Sequence, residues 1–293
     1  MTERLADINA RIAGIQQLGA AVNAMRGIAA ARAQQARHQL DAVDDYAGTI
    51  AGAIGRTLAL LPPSPDRISA PRHRALVVFC AEQGFAGAFS ERVLDVMASV
   101  TPVVELFLVG TRGNILAASR GIAVSWDGAM PSHSPSIPKF ADKIAEALYA
   151  HIASGRINEL DVIFTLWRPA EGPHIERRRL FPLETSAIPV TPGNPPLLYL
   201  SPETLLRELT ADYVHAQLCQ AALHAFAAEN EARLQAMALA HSHIDRRLEE
   251  LRGRQRQVRQ EEITAEIIEL SIGERSSRLR DARLRGLPVA SAT

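Results

Sequence analysis

Residues 202–237 read PETLLRELTADYVHAQLCQAALHAFAAENEARLQAM, and no proline follows Pro202 until Pro288. Proline inside a helix costs about 3 kcal/mol, so this arm is free to form one very long helix. A stripe with a spacing of three and four, apolar except at Asn230, runs through Leu205, Leu209, Ala216, Cys219, Leu223, Phe226, Asn230, Leu234 and Met237. The rhythm continues through Ile244, Leu248, Leu251, Val258, Ala265, Ile268 and Ile272. That spacing holds side chains on one face of a helix. Ser201 is placed to cap the start, Pro202 suits the first turn, and Gly273 is a candidate stop.

The other end of the chain behaves the same way. No proline precedes Pro62, and Leu5, Ile8, Ile12, Ile15, Leu18, Val22, Met25 and Ala29 form a stripe. It resumes at Ala36, Leu40, Val43, Ala47, Ile50, Ile54 and Leu58. The helical rise predicts rods of roughly 85 Å and 105 Å for the two arms. A helix that long, apolar on one stripe only, needs a partner helix, and each arm is the other's obvious partner. Alanines and polar positions in the stripe predict a coiled coil of modest strength.

Between the arms the pattern changes to strand and helix in alternation. Ala75–Cys80, Val103–Val109 and Asp161–Trp167 are apolar runs of strand length, and Ile122–Trp126 is a shorter one. Helical stretches are expected near Ser90–Ala98 and Pro138–Ala153, with an edge strand at Arg177–Leu183 and a linker at Thr191–Pro196. Alternation of this kind predicts a mostly parallel sheet. The fold class expected is α+β: a long antiparallel coiled coil of N- and C-terminal helices with an inserted α/β, Rossmann-like domain. The boundaries are 1–61 for the first helix, 72–190 for the domain, 202–273 for the last helix and 274–293 for an arginine-rich tail.

Composition narrows function mainly by exclusion. Lysine plus arginine and aspartate plus glutamate are both 32, so global charge makes no case for nucleic acid. The only lysines are Lys139 and Lys143, so nearly all positive charge is arginine, whose fork suits directional contacts with carboxylates. Cys80 and Cys219 fit no metal spacing and read as core thiols. The opening MTERLADINARI is charged at once, unlike a signal peptide, and no run of 18 apolar residues occurs, which predicts a chain that does not span a membrane.

Three constellations have residue types that could carry chemistry. Gly84-Phe85-Ala86-Gly87 follows the first strand, where α/β folds place phosphate loops, but it has neither the dinucleotide fingerprint nor the P-loop lysine. His215, His224, His241 and His243 share the last helix at spacings that do not converge on a metal. Arg246, Arg247, Arg252, Arg254, Arg256 and Arg259 form a basic run with no aromatic residue for stacking on RNA, so a helix surface or a collar for acidic loops fits better. No catalytic, cofactor or metal site is expected.

Several blocks resemble the gamma subunit of F-type ATP synthases, over nearly the whole chain. They are Arg11-Ile12-Ala13-Gly14-Ile15, Ala24-Met25 followed by Ile28 to Arg32, Asp44-Asp45-Tyr46-Ala47, and Val109-Gly110-Thr111-Arg112-Gly113. The nearest are Ala228 to Met237 and Arg259-Gln260-Glu261-Glu262-Ile263-Thr264-Ala265-Glu266. Other positions depart from the family. Its Ser-Asp-Arg-Gly-Leu-Cys-Gly-Gly reads Ala81 to Ala88 here, its Lys-Ile-Thr-Lys reads Ala20 to Asn23, and its Tyr-Asn reads Gln255-Arg256. The pattern is that of a divergent branch, such as an alternative bacterial F-type ATPase.

The resemblance implies a non-catalytic central rotary stalk, coupling ion flow through a membrane rotor to ATP synthesis or hydrolysis in partner subunits. It implies alpha and beta ATPase subunits around the coiled coil, an epsilon subunit and a c-type rotor ring as partners, and no nucleic acid. It places the chain peripherally at the cytoplasmic face of the bacterial inner membrane. Carried over residue by residue, it makes Met25, Arg233, Arg259, Gln260, Thr264 and Glu266 the candidates for shaft packing and partner contact. The alternatives are an unrelated coiled-coil adaptor, with or without RNA, and an α/β enzyme with helical extensions.

Overall fold

The computed structural model describes residues 5–62, 73–100, 105–183 and 198–284. Two helices dominate: α1, Leu5–Leu58, and α5, Pro202–Leu284. The Ser201 hydroxyl accepts the Thr204 amide at 3.3 Å, the N-cap expected from the sequence. Gly273 does not end the helix. One glycine costs only about 1 kcal/mol in a helix interior, and no proline follows it before Pro288. The proposed linker at Thr191–Pro196 lies outside the described residues.

The chain divides into two compact units, residues 1–24 with 238–293 and residues 25–237. In the smaller one the two helices run antiparallel. Asn9 accepts a hydrogen bond from Gln255 at 2.6 Å, and a methyl of Ile244 lies where a side chain on Gly19 would press at 3.3 Å. Ile8, Val22, Ile244 and Leu251 are buried, whereas Leu18 is 54% exposed despite its place in the predicted stripe.

The larger unit holds the sheet, ordered β3-β2-β1-β4-β5. Its strands are β1 (Arg74–Phe79), β2 (Glu105–Val109), β3 (Trp126–Gly128), β4 (Glu159–Arg168) and β5 (Gly172–Phe181). β1 to β4 are parallel, and β5 is an antiparallel edge strand joined to β4 by a hairpin with positive φ at Ala170 and Gly172. The third strand is shifted from the predicted Ile122–Trp126: Ile122 and Val124 pack instead against the core beneath the helices. A helix not expected from the sequence, α3 (Thr111–Ser119), follows β2. With α2 (Phe89–Ala98) it covers one face of the sheet.

The other face is covered by α4 (Ile137–Ala153) and by α5 from Val214 to Ala227, with Ala36 and Leu40 of α1 in the same cluster. Here α5 is buried nearly all round, which the single stripe did not predict. The helix lies between α1 and the sheet, so its small residues Ala221, Ala222, Ala225 and Ala227 are needed on several sides at once. Leu209 and Tyr213 join a smaller cluster with Ala47, Ile50, Ile54 and Ala216, which continues the antiparallel pairing of the helices.

Buried charge sits at the start of β4. Asp161 is 1% exposed and takes contacts from Arg74, Arg177 and Arg179, and the neighbouring Glu159 binds Arg74 at 3.0 Å. Burial without these partners would be prohibitive.

Candidate functional site

β1 ends at Phe79, and the chain then makes the loop 80–88 before α2 begins. Two departures from ordinary backbone shape it: Phe85 has φ +62° and Gly87 φ +60°. The left-handed region is rare for a non-glycine residue, so something must hold Phe85 there. The holder is α5. The Glu229 carboxylate accepts the amides of Glu82 and Gln83 at 3.0 and 3.1 Å. One turn on, the Arg233 guanidinium donates to the carbonyls of Gly84 at 3.2 Å and Gln83 at 3.4 Å. Glu229 and Arg233 also pair with each other, and Arg233 reaches Asn230 Oδ1 at 3.1 Å. All three side chains are buried.

The opposite side of the loop is held by Glu82. Its carboxylate accepts the Thr111 amide at 3.0 Å, the Thr111 hydroxyl at 2.7 Å and the Met130 amide at 2.8 Å. Thr111 opens α3, so this carboxylate occupies the anion position at the head of a helix, beyond the carboxyl ends of the strands. Gly110 and Gly113 make the approach possible. At Gly110, φ +107°, an added Cβ would lie 2.5 Å from the Cys80 carbonyl oxygen; at Gly113 it would lie 2.2 Å from the Cys80 Cβ. The Gly84-to-Gly87 stretch thus follows the first strand as a phosphate loop would, but the neighbouring anion position is filled by the chain's own carboxylate.

The loop lifts Phe85, 68% exposed, beside Met25 and Ile28 of α1, which are 42% and 54% exposed. These apolar side chains, with Arg32, Asn230 and Arg233, border a cavity of about 300 Å³. A larger cavity of about 540 Å³ lies between α4 and the start of α5, among Leu148, Ile152, Phe181, Leu206 and Val214.

The six residues singled out from the sequence separate into two groups. Met25 and Arg233 both border the 300 Å³ cavity, but in opposite roles: Met25 is exposed, while Arg233 is 7% exposed and occupied by the loop. Arg259, Gln260, Thr264 and Glu266 lie far along α5 and are exposed, the Thr264 hydroxyl donating back to the Gln260 carbonyl at 2.8 Å. Glu82 and Glu229 were missed. The available signal was Glu229, Asn230, Glu231 and Arg233 standing within an alanine-rich stretch of helix, since charge amid small core residues needs internal partners.

The described thiols and the histidines His215, His224 and His241 are engaged in packing or pairing. Cys80 and Cys219 are buried free thiols, each pushed up to about 12 by burial. His215 meets Asp142 of α4 at 2.9 Å, and His241 pairs with Asp245 on its own helix. His224 stacks on Phe164, ring centroids 5.7 Å apart, and burial lowers its pKa. Among the described residues no group of three or more His, Cys, Asp or Glu could hold a metal ion. None of the described helices is long and apolar enough to cross a membrane.

The family model for ATP synthase matches residues 4–276. The ATP synthase gamma chain of Beutenbergia cavernae is 30% identical over 250 residues, 78% of this chain and 83% of the relative. That of Moorella thermoacetica is 26% identical over 241 residues, 79% of this chain and 84% of the relative. In three dimensions the chain is similar to one in the Euglena gracilis mitochondrial ATP synthase, OSCP/F1/c-ring, rotational state 3. There the TM-score is 0.63 at 12% identity, covering 99% of this chain and 98% of that one. The chain belongs to the gamma-subunit family of F-type ATP synthases. Its function is that of an ATP synthase gamma chain, and the unrelated adaptor is not favoured.

Proposed function

We propose that this stalk works as an asymmetric shaft, with α5 beyond residue 258 and the exposed face of α1 around Met25 as its contact surfaces. One observation carries the reading. From Arg259 to Arg275 every residue of α5 is exposed, including Ile263, Ile267, Ile268, Leu270 and Ile272 at 51–68%. A helix that presents so many large aliphatic side chains needs a sleeve to cover them. A ring of alpha and beta ATPase subunits would supply it.

Arg259, Gln260, Thr264 and Glu266 then become direct partner contacts, and Met25 a further one on α1. Arg233 takes a different part, since its guanidinium is already engaged: it positions the loop that presents Phe85. The α/β domain, taken as 72–190, would meet the epsilon subunit and the c-type rotor ring. The terminal helices, 1–61 and 202–273, would form the shaft, with 274–293 as an extension. On this reading the chain binds no nucleic acid and lies peripherally at the cytoplasmic face of the bacterial inner membrane. Turning the shaft would favour a different nucleotide state at each catalytic site in succession, exchanging population shift for torque.

Affinity purification of the native protein tests this. Recovery of alpha and beta ATPase subunits is expected, and their absence would sink the reading. In the recovered complex Arg259→Ala should reduce ions pumped per ATP hydrolysed while leaving the isolated chain's thermal unfolding unchanged. Unaltered pumping per ATP would refute the contact role of Arg259.

A further inference from the structure

Glu82 stands between the sheet domain and α5, which are also bonded on the other face of the sheet, by Arg178 to Gln217 at 2.8 Å and by His215 to Asp142 at 2.9 Å. Its side chain is bound to the sheet domain, through the Thr111 amide and hydroxyl and the Met130 amide. Its own backbone amide is bound to α5, through Glu229, and the next residue repeats that contact. Arg233 closes the grip by holding the carbonyls of Gln83 and Gly84. The links form a continuous polar path from the heads of β2 and β3 through the loop to one turn of α5.

We propose that Glu82 is a built-in counter-anion that rivets the sheet domain to α5, so that the two turn as one body. The carboxylate takes the position an external phosphate would occupy in a nucleotide-binding α/β fold, with the Thr111 amide at the head of α3 and the Met130 amide already aimed at it. An internal anion suits a rigid linkage because it cannot dissociate. The grip on the α5 side is matched in kind: donors of the loop meet a carboxylate, and acceptors of the loop meet a guanidinium, both on buried side chains. Charge-assisted bonds of this sort resist being pulled apart better than neutral ones. Apolar packing opposes sliding of a helix over a sheet only weakly, whereas directional bonds at both ends of one short loop oppose it at the head of α3, as Arg178 and His215 do on the other face. The left-handed Phe85 follows from the same grip, since the carbonyls on its N-terminal side are pinned by Arg233. The role in transmitting torque depends on the stalk reading; the rivet itself does not.

Hydrogen exchange on the full-length chain tests the rivet. Glu82→Ala should speed exchange of the Thr111 and Met130 amides, and of the loop amides at 82 and 83, by about tenfold or more. Glu82→Gln, which keeps the size of the side chain, should give a smaller increase and covers the case in which the alanine variant does not fold. Unchanged exchange in Glu82→Gln and in any folded Glu82→Ala overturns the proposal. The mechanical role is read in the assembled ATPase complex, where Glu82→Ala or Glu82→Gln should lower ions pumped per ATP several-fold while hydrolysis persists. Faster exchange with pumping per ATP unchanged overturns that role. If the unmodified chain joins no such complex, the stalk reading fails, and the exchange measurement still decides the rivet.

Discussion

Two stretches of α5 are both helical and both carry apolar and charged residues, yet they have opposite surroundings. Between Val214 and Arg233 almost every residue is buried, including Glu229, Asn230 and Glu231, and the helix forms part of a domain core. From Arg259 to Arg275 every residue is exposed, isoleucines included. Helix propensity does not explain the difference, since both stretches are helical. The first has a sheet and α1 to pack on, whereas the second outruns what the chain itself can cover. One helix therefore has two environments: it is packed against the sheet in one stretch and uncovered in the other. The polar residues follow the same division. In the buried stretch they are consumed by internal bonds, as Arg233 is, and in the exposed stretch Arg259, Gln260 and Glu266 face outward.

The contrast can be broken by mutation. Leu218 is fully buried in the larger unit. Leu218→Ala should lower stability by about 3 kcal/mol, as for other large-to-small changes in a packed core, measured by chemical denaturation of the purified chain. A cost under about 1 kcal/mol would mean that this part of α5 is not core. A smaller, pH-dependent effect is expected at His224, which is stacked on Phe164 and has its pKa lowered from the ordinary 6.5, burial being the main cause. Asp44 and Glu176 oppose the shift and Arg178 adds to it. The unfolded chain then takes up the proton first. The histidine's contribution is intact above pH about 6.5 and declines as the pH falls below that value. Replacing His224 with leucine should flatten stability against pH between 7 and 5; an unchanged slope would show that the ring is not held neutral. The smallest effect belongs to the exposed stretch. Ile267→Ala should change the stability of the isolated chain by no more than about 0.5 kcal/mol. A cost near that of Leu218→Ala would show that this stretch is packed within the chain and would remove the case for a sleeve.

Much of this architecture was legible in the residues. Proline placement and three-four spacing located both long helices because each signal is local and repeats over many turns. The three principal strands were legible as apolar runs, and burial on both faces of a parallel sheet explains why those runs do not alternate. α3 was not legible. Its sequence Thr111-Arg112-Gly113-Asn114 is poor in helix formers, and the helix persists because Gly113 allows it to lie against Cys80 while Glu82 serves its head. The shift of β3 is of the same kind, since Ile122 and Val124 found a place under α2 and α3 rather than in the sheet. For the site, the loop at 82–88 and the helix block at 228–237 were each conspicuous, yet nothing local says that residues about 150 apart in sequence will bond.

Periodicity, proline and the family blocks by themselves determined that the chain is a pair of long helices carrying an α/β insertion, and that it belongs with the ATP synthase gamma chains. These are properties of segments, and segments are written in local pattern. Only the tertiary structure decided that Arg233 is spent inside the molecule, that Glu82 fills the anion position at the head of α3, and that the far part of α5 keeps its isoleucines in the open. Those outcomes depend on which surfaces meet and on where the chain runs out of surface to cover. A hydrogen bond has to be satisfied by whatever the fold brings near, and the spacing of residues along one helix does not contain that information.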